Sequence, residues 1–242
     1  MKRAESRSRR IELIDALRGL SVCMMILQHL TYDLYAFCGA PWSVYKNPVC
    51  DAIHYVFGAA FVLLSGISSN FSRSNTRRGV KALAVALVIT LVTTVMDMPV
   101  IFGVLHLLGV CMVLYGLTRG FWQRLNEKLP WLVPALSMAG IALTAPLADG
   151  RYTTIPHLWI IGFITDGFYS SDYFPLLPWA FVFLFGAWAG KYIREGRMPG
   201  WFYEAKAPCL ARIGRHSLLI YIMHQPILYA LVMLGLLLFG KR

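Results

Sequence analysis

Residues 13–36 read LIDALRGLSVCMMILQHLTYDLYA, and the reading of this stretch decides the fold. It is long enough to cross a hydrocarbon layer, which takes about 20 apolar residues. Yet it carries Asp15, Arg18, His29 and Asp33. Comparable apolar blocks follow at 52–71, 79–98, 100–118, 130–147, 174–193 and 214–239. A further block, 155–165, is too short to span comfortably and reads as re-entrant or interfacial. The expected fold is therefore all-α: a polytopic transmembrane helical bundle of seven spans, or eight if the short block crosses.

Composition supports this. The chain of 242 residues is 57% hydrophobic and only 14% charged, where a soluble domain is about a quarter charged. The apolar excess lies in blocks, so it is not an enlarged soluble core. The net charge of +11 does not point to nucleic acid, because the basic residues sit between apolar blocks rather than on a soluble, aromatic-studded face. They alternate instead. Lys2, Arg3, Arg7, Arg9 and Arg10 precede the first block, and Arg73, Arg77, Arg78 and Lys81 follow the second. Arg119, Arg124 and Lys128 follow the fourth. Lys191, Arg194, Arg197, Lys206, Arg212 and Arg215 lie before the last. By the positive-inside rule the N-terminus is cytoplasmic, and residues 1–10 form a basic cytoplasmic tail. Seven spans leave Gly240-Lys241-Arg242 outside, a mild departure from the rule.

The tail resembles a signal-peptide n-region. Arg18 interrupts the apolar stretch behind it, and no small-residue cleavage site follows, so the first helix is expected to stay. Neither a repeat nor a low-complexity tract divides the chain, which reads as a single domain over 1–242. Its longest non-spanning outer segment is 148–173. Among the five cysteines there is no metal-ligand spacing. Cys23 and Cys111 read as small hydrophobes, and Cys38 and Cys50 share an outer loop where a disulfide is feasible.

Ionisable groups at membrane depth are costly and generally face a bundle interior, where they mark a pathway or a site. At 100° per residue, Arg18 and His29 fall about 20° apart in azimuth and about 16 Å apart along the axis. Asp15 precedes Arg18 by three positions and Asp33 follows His29 by four, so all share one face with Val22. A carboxylate at Asp33 can hold the His29 ring, and His29 can then deprotonate a hydroxyl or amine attacking an acyl group. Taken singly, His29 reads as a satisfied buried histidine and Asp15–Arg18 as a helix-end ion pair. Their concentration on one stripe favours function.

Other polar residues at membrane depth are His54, three residues after Asp51; His106; and His224-Gln225, which precede Pro226 in the last helix. For these, structural and functional readings weigh about equally. Two cytoplasmic groups, Ser72 to Gly79 (with Arg73, Asn75 and Arg77) and Arg212 to Ser217 (with Arg215 and His216), have donors suited to phosphate. Ordinary positive-inside charge explains them as simply. Walker, Rossmann, zinc-hydrolase and nucleophile-elbow motifs are absent.

Leu13 to Gly19 followed by His29 resembles the first helix of transmembrane acyltransferases, whose acyltransferase-three group carries an arginine, ten residues, then a histidine. More closely, the chain resembles the bacterial branch of the heparan-alpha-glucosaminide N-acetyltransferase catalytic-domain family. The segments that carry this are Asp51 to Gly66, Ser72 to Gly79, Phe102 to Val110, Asp172 to Trp179, and Gly214 through Tyr221 to Pro226. The resemblance implies a membrane acyltransferase that takes acetyl-CoA from the cytoplasm and acylates an extracytoplasmic sugar, glycolipid or envelope acceptor. It implies an integral protein of the bacterial inner (cytoplasmic) membrane, surrounded by lipid, able to form a homo-oligomer, with no metal. Carried onto this chain, His29, Asp33, Arg18 and His54 are the catalytic candidates. The base is split between His29 and His54, because the lysosomal branch places its essential histidine later, before the second span. Arg73, Asn75, Arg77, Arg215 and His216 are the candidates for binding CoA. Asp15, His106, Asp172, His224 and Gln225 are the candidates for lining the substrate route. The chain lacks the large luminal domain of the lysosomal branch. Two rival accounts remain at this stage: a transporter or lipid-handling channel using the same stripe, and a non-catalytic partner subunit.

Overall fold

A computed structural model describes residues 10–239. Most of the basic tail (Lys2, Arg3, Arg7, Arg9) and the C-terminal Gly240-Lys241-Arg242 lie outside the described residues. The helices run α1 Glu12–Cys38, α2 Trp42–Tyr45, α3 Pro48–Ser68, α4 Asn75–Val95, α5 Val104–Lys128, α6 Leu132–Thr144, α7 Leu176–Arg194, α8 Gly200–Glu204, α9 Pro208–Arg215 and α10 Ser217–Phe239. Among the described residues, six helical segments are long and apolar enough to cross a membrane: α1, α2–α3 together, α4, α5, α7 and α10. A shorter apolar helix covers Leu132–Leu147. The chain is an integral membrane protein built as an all-α polytopic bundle.

The 155–165 block does not form a span. It holds a four-residue 3-10 turn, Leu158–Ile161, and half of a minimal parallel pairing, β1 Arg151–Tyr152 with β2 Phe163–Ile164. Pro156 precedes the turn, and Gly162 ends it at φ 105°, so no regular helix can run through. The 100–118 block also shifts. Residues 100–103 form the approach to α5, and the helix continues to Lys128. A helix closes its own hydrogen bonds, so it need not stop where its side chains become polar.

The chain divides into two compact units, 10–61 with 198–239, and 62–197. In the first, α1 packs against α9 and α10. Pro208 opens α9, where its missing N–H costs nothing, and Arg212 and Arg215 close it, where positive charge suits the helix dipole. Gly19 and Gly214 let the two backbones touch. A Cβ on Gly19 would collide with the Leu210 carbonyl, and one on Gly214 with the Asp15 carbonyl. Glu12 adds a bond across, accepting from the Ala207 N–H at 2.9 Å. The stretch between α7 and α10, which reads as a plain basic loop, is thus partly a helix docked on α1. In the outer loop Cys38 and Cys50 are both free thiols.

In the second unit α4 pairs with α5 and α6 with α7. Ser74 caps α4 by accepting from the Arg77 N–H at 3.3 Å. At the outer end, the Asp172 carboxylate accepts from the Val104 N–H at 3.1 Å and so caps α5 from a distant segment. Ser170 bonds both the N–H and the carbonyl of Ile101. The Tyr173 hydroxyl donates to the Trp159 carbonyl at 2.5 Å. Burial pushes that hydroxyl up to about 12, so it remains a donor in neutral solution.

Candidate active site

The stripe read from the sequence divides into two environments. At the cytoplasmic end of α1, Arg18 donates to Asp15 Oδ1 at 2.9 Å. The Arg215 Nε lies 3.6 Å from the other carboxylate oxygen, an ion contact too long for a hydrogen bond. Asp15 is shared between arginines of α1 and α9, beside the Gly19–Gly214 contact.

At the outer end the arrangement is different. The His29 Nδ1 lies 2.9 Å from the Met25 carbonyl, one turn back. A carbonyl only accepts, so Nδ1 carries the proton in the neutral ring and Nε2 presents its lone pair. His224 repeats this with the Tyr221 carbonyl at 2.6 Å. The two rings meet edge to face, with centroids 4.8 Å apart. Asp33 is fully buried at 0% exposure and accepts from the Gln225 amide at 2.9 Å. The expected Asp33–His29 hydrogen bond is not present. The carboxylate is held by α10 instead, because Gln225 reaches it while His29 is already engaged on its own helix. Asp33 Oδ2 and Gln225 Oε1 are buried with no hydrogen-bond donor among the described residues.

His54 bonds Gln28 Oε1 through Nδ1 at 3.2 Å. It is therefore tied to the residue adjacent to His29. The other candidates sit elsewhere. His106 contacts Thr90 Oγ1 at 3.2 Å and stacks on Phe102, and Asp172 is engaged at the start of α5. Arg73 and Arg77 are exposed, with no ion pair to another described residue. Asn75 turns inward. It is 3% exposed and donates to the Ser69 carbonyl at 3.0 Å, which fixes the α3–α4 turn. Arg215 is engaged with Asp15, and His216 is exposed. Among the described residues no group of acidic, histidine and cysteine side chains could hold a metal ion.

The sequence marks His224 and Gln225 as polar candidates, but only the structure brings them onto His29 and Asp33. The signal was a polar pair in an otherwise apolar last helix. Its azimuth relative to α1 cannot be read from the sequence.

The family model described as "Heparan-alpha-glucosaminide N-acetyltransferase, catalytic" matches residues 10–226. The chain belongs to this family, and the membership implies a membrane acetyltransferase-like activity. Comparisons with curated proteins and with solved structures return no match.

Proposed function

We propose that this protein transfers an acetyl group from cytoplasmic acetyl-CoA to a hydroxyl or amine of an extracytoplasmic sugar, glycolipid or envelope acceptor, in the cytoplasmic membrane of a bacterium. The observation that carries the reading is the α1–α10 cluster. With Nδ1 turned to the Met25 carbonyl, the neutral His29 ring offers Nε2 as an acceptor, and Asp33 Oδ2 and Gln225 Oε1 are buried acceptors without donors among the described residues. A hydroxyl or amine substrate brings the N–H or O–H groups that such acceptors require.

In this reading the Nε2 of His29 takes the proton from the attacking oxygen or nitrogen. The new bond forms to the acetyl carbon, the thioester C–S bond breaks, and the proton passes to the CoA thiolate. The imidazolium formed meanwhile is stabilised by the nearby Asp33 carboxylate, which Gln225 orients. Arg73 and Arg77 fit the donor's phosphates, being exposed guanidinium groups on one cytoplasmic turn. Asn75, facing inward, supports that turn.

The test is binding of acetyl-CoA and release of CoA by the protein purified in detergent, with the acceptors offered as a panel of envelope sugars and glycolipids. Wild type should turn over, and His29→Ala should bind but not turn over. If His54→Ala alone abolishes turnover, the base is His54. Solute transport by proteoliposomes without CoA, and no CoA release, would replace this reading with a transporter.

A further inference from the structure

In the unit formed by residues 62–197, a cavity of about 220 Å³ opens among the cytoplasmic ends of α5 and α7 and the turn after α3. None of the candidate acyl-transfer residues lines it. Its walls are chemically split. Lys191 and Arg194 project from α7, Asn126 and Glu127 come from α5, and the indoles of Trp122 and Trp188 close the sides.

The commitments of these groups are uneven. Asn126 is 7% exposed, and its side-chain oxygen has no donor among the described residues. Arg194 gives one N–H to the Asn70 carbonyl at 3.2 Å. Lys191 and Glu127 have no ion pair within the described residues. Glu195, at the rim, is engaged by Arg197 at 3.0 Å. The Trp188 indole is pinned by donation to the Pro130 carbonyl at 3.1 Å.

We infer that this cavity binds the headgroup of a zwitterionic aminophospholipid, one with a phosphodiester and a primary ammonium. The phosphate would lie between Lys191 and Arg194. The ammonium, with its N–H donors, would lie between Glu127 and the Asn126 carbonyl. Charge balance selects this class. A nucleotide carrying several phosphates would meet Glu127 and Glu195 at the same opening, and like charge there costs affinity. A quaternary ammonium has no N–H to offer Asn126. The surroundings suit a lipid. Tryptophan is a residue favoured at the membrane interface, and Leu117 and Phe121 of α5 and Trp131 just before α6 are exposed at 70%, 60% and 63%. The inference does not depend on the acyl-transfer reading.

The test uses the full chain in phosphatidylcholine nanodiscs doped with phosphatidylethanolamine or phosphatidylglycerol, with retained lipid read by native mass spectrometry. Wild type should retain phosphatidylethanolamine over both others. Lys191→Gln, on a half-buried side chain, and Glu127→Gln, on an exposed one, should each weaken retention about tenfold, as expected for one lost charged hydrogen bond. Their thermal unfolding should match wild type. Equal retention of the three lipids, or an unchanged preference in both variants, would overturn the inference. So would displacement of the lipid by adenosine 3′,5′-bisphosphate, which would reassign the cavity to a nucleotide.

Discussion

The two ends of α1 carry the same kinds of residue but are put to different use. At the cytoplasmic end, Asp15 and Arg18 pair with each other and with Arg215, and a glycine contact presses α9 against the helix. Charge there is matched by charge, since Asp15 Oδ2, though without a hydrogen-bond donor among the described residues, still faces Arg215 at 3.6 Å, and the groups hold two helices together. At the outer end, His29 and Asp33 meet His224 and Gln225 from α10. Among the described residues no cation pairs with Asp33, and buried acceptors are left for something else to satisfy. An ionisable residue in a span is thus not a site because it is ionisable. It becomes a candidate where its partners leave capacity unused.

That contrast can be broken. The largest effect expected is in catalysis at the outer end. His29→Ala should lower CoA release by about 10²- to 10⁴-fold, the usual worth of a positioned general base, with no loss of folded protein by size-exclusion chromatography. A variant that turned over normally would reduce the outer end to packing. Next in size is Gln225→Leu, which strips Asp33 of its donor. It should destabilise by about 1–3 kcal/mol, the penalty for stranding a buried polar group, read as a lower melting temperature in detergent. Adding Asp33→Leu should restore much of that stability but not the turnover, which separates the two roles of the carboxylate.

At the cytoplasmic end the expected losses are structural. Gly214→Val should cost about 1–3 kcal/mol through overpacking against the Asp15 carbonyl, and activity should fall only in proportion to the folded fraction. The smallest effect is expected for Arg215→Ala. Its side chain is 43% exposed, and exposed ion pairs are worth about 0–1 kcal/mol, so stability should barely move. A large rise in the KM for acetyl-CoA with unchanged stability would show that this end also binds the donor, and would blur the contrast.

Much of the frame was legible. Apolar block length predicts the spans, because it follows from the bilayer rather than from particular partners. The polar stripe was legible for the same reason, since helical periodicity puts Asp15, Arg18, His29 and Asp33 on one face whatever surrounds them. What stayed hidden depends on partners distant in the chain. Gln225, which holds Asp33, is 192 positions away, and helix rotation decides whether the two meet. Docking of α9 was hidden because its cue is two glycines, Gly19 and Gly214, each unremarkable alone. Asn75 looked like a phosphate ligand from its neighbours Arg73 and Arg77. Two helical positions separate it from Arg77 and rotate a side chain by about 200°, enough to turn it inward.

The division of the chain has a consequence for synthesis. The unit that holds α1, α2 and the first part of α3 takes its remaining elements, α8 to α10, from residues 198–239, which leave the ribosome only after the whole of the other unit. Until then α1 sits in the bilayer with its local Asp15–Arg18 and His29–Met25 bonds, but with His29 lacking His224 and Asp33 lacking Gln225. Helix α1, made before the other unit, is therefore completed only after it. During that interval its polar face must be shielded by the insertion machinery, by snorkelling, or by water drawn into the membrane.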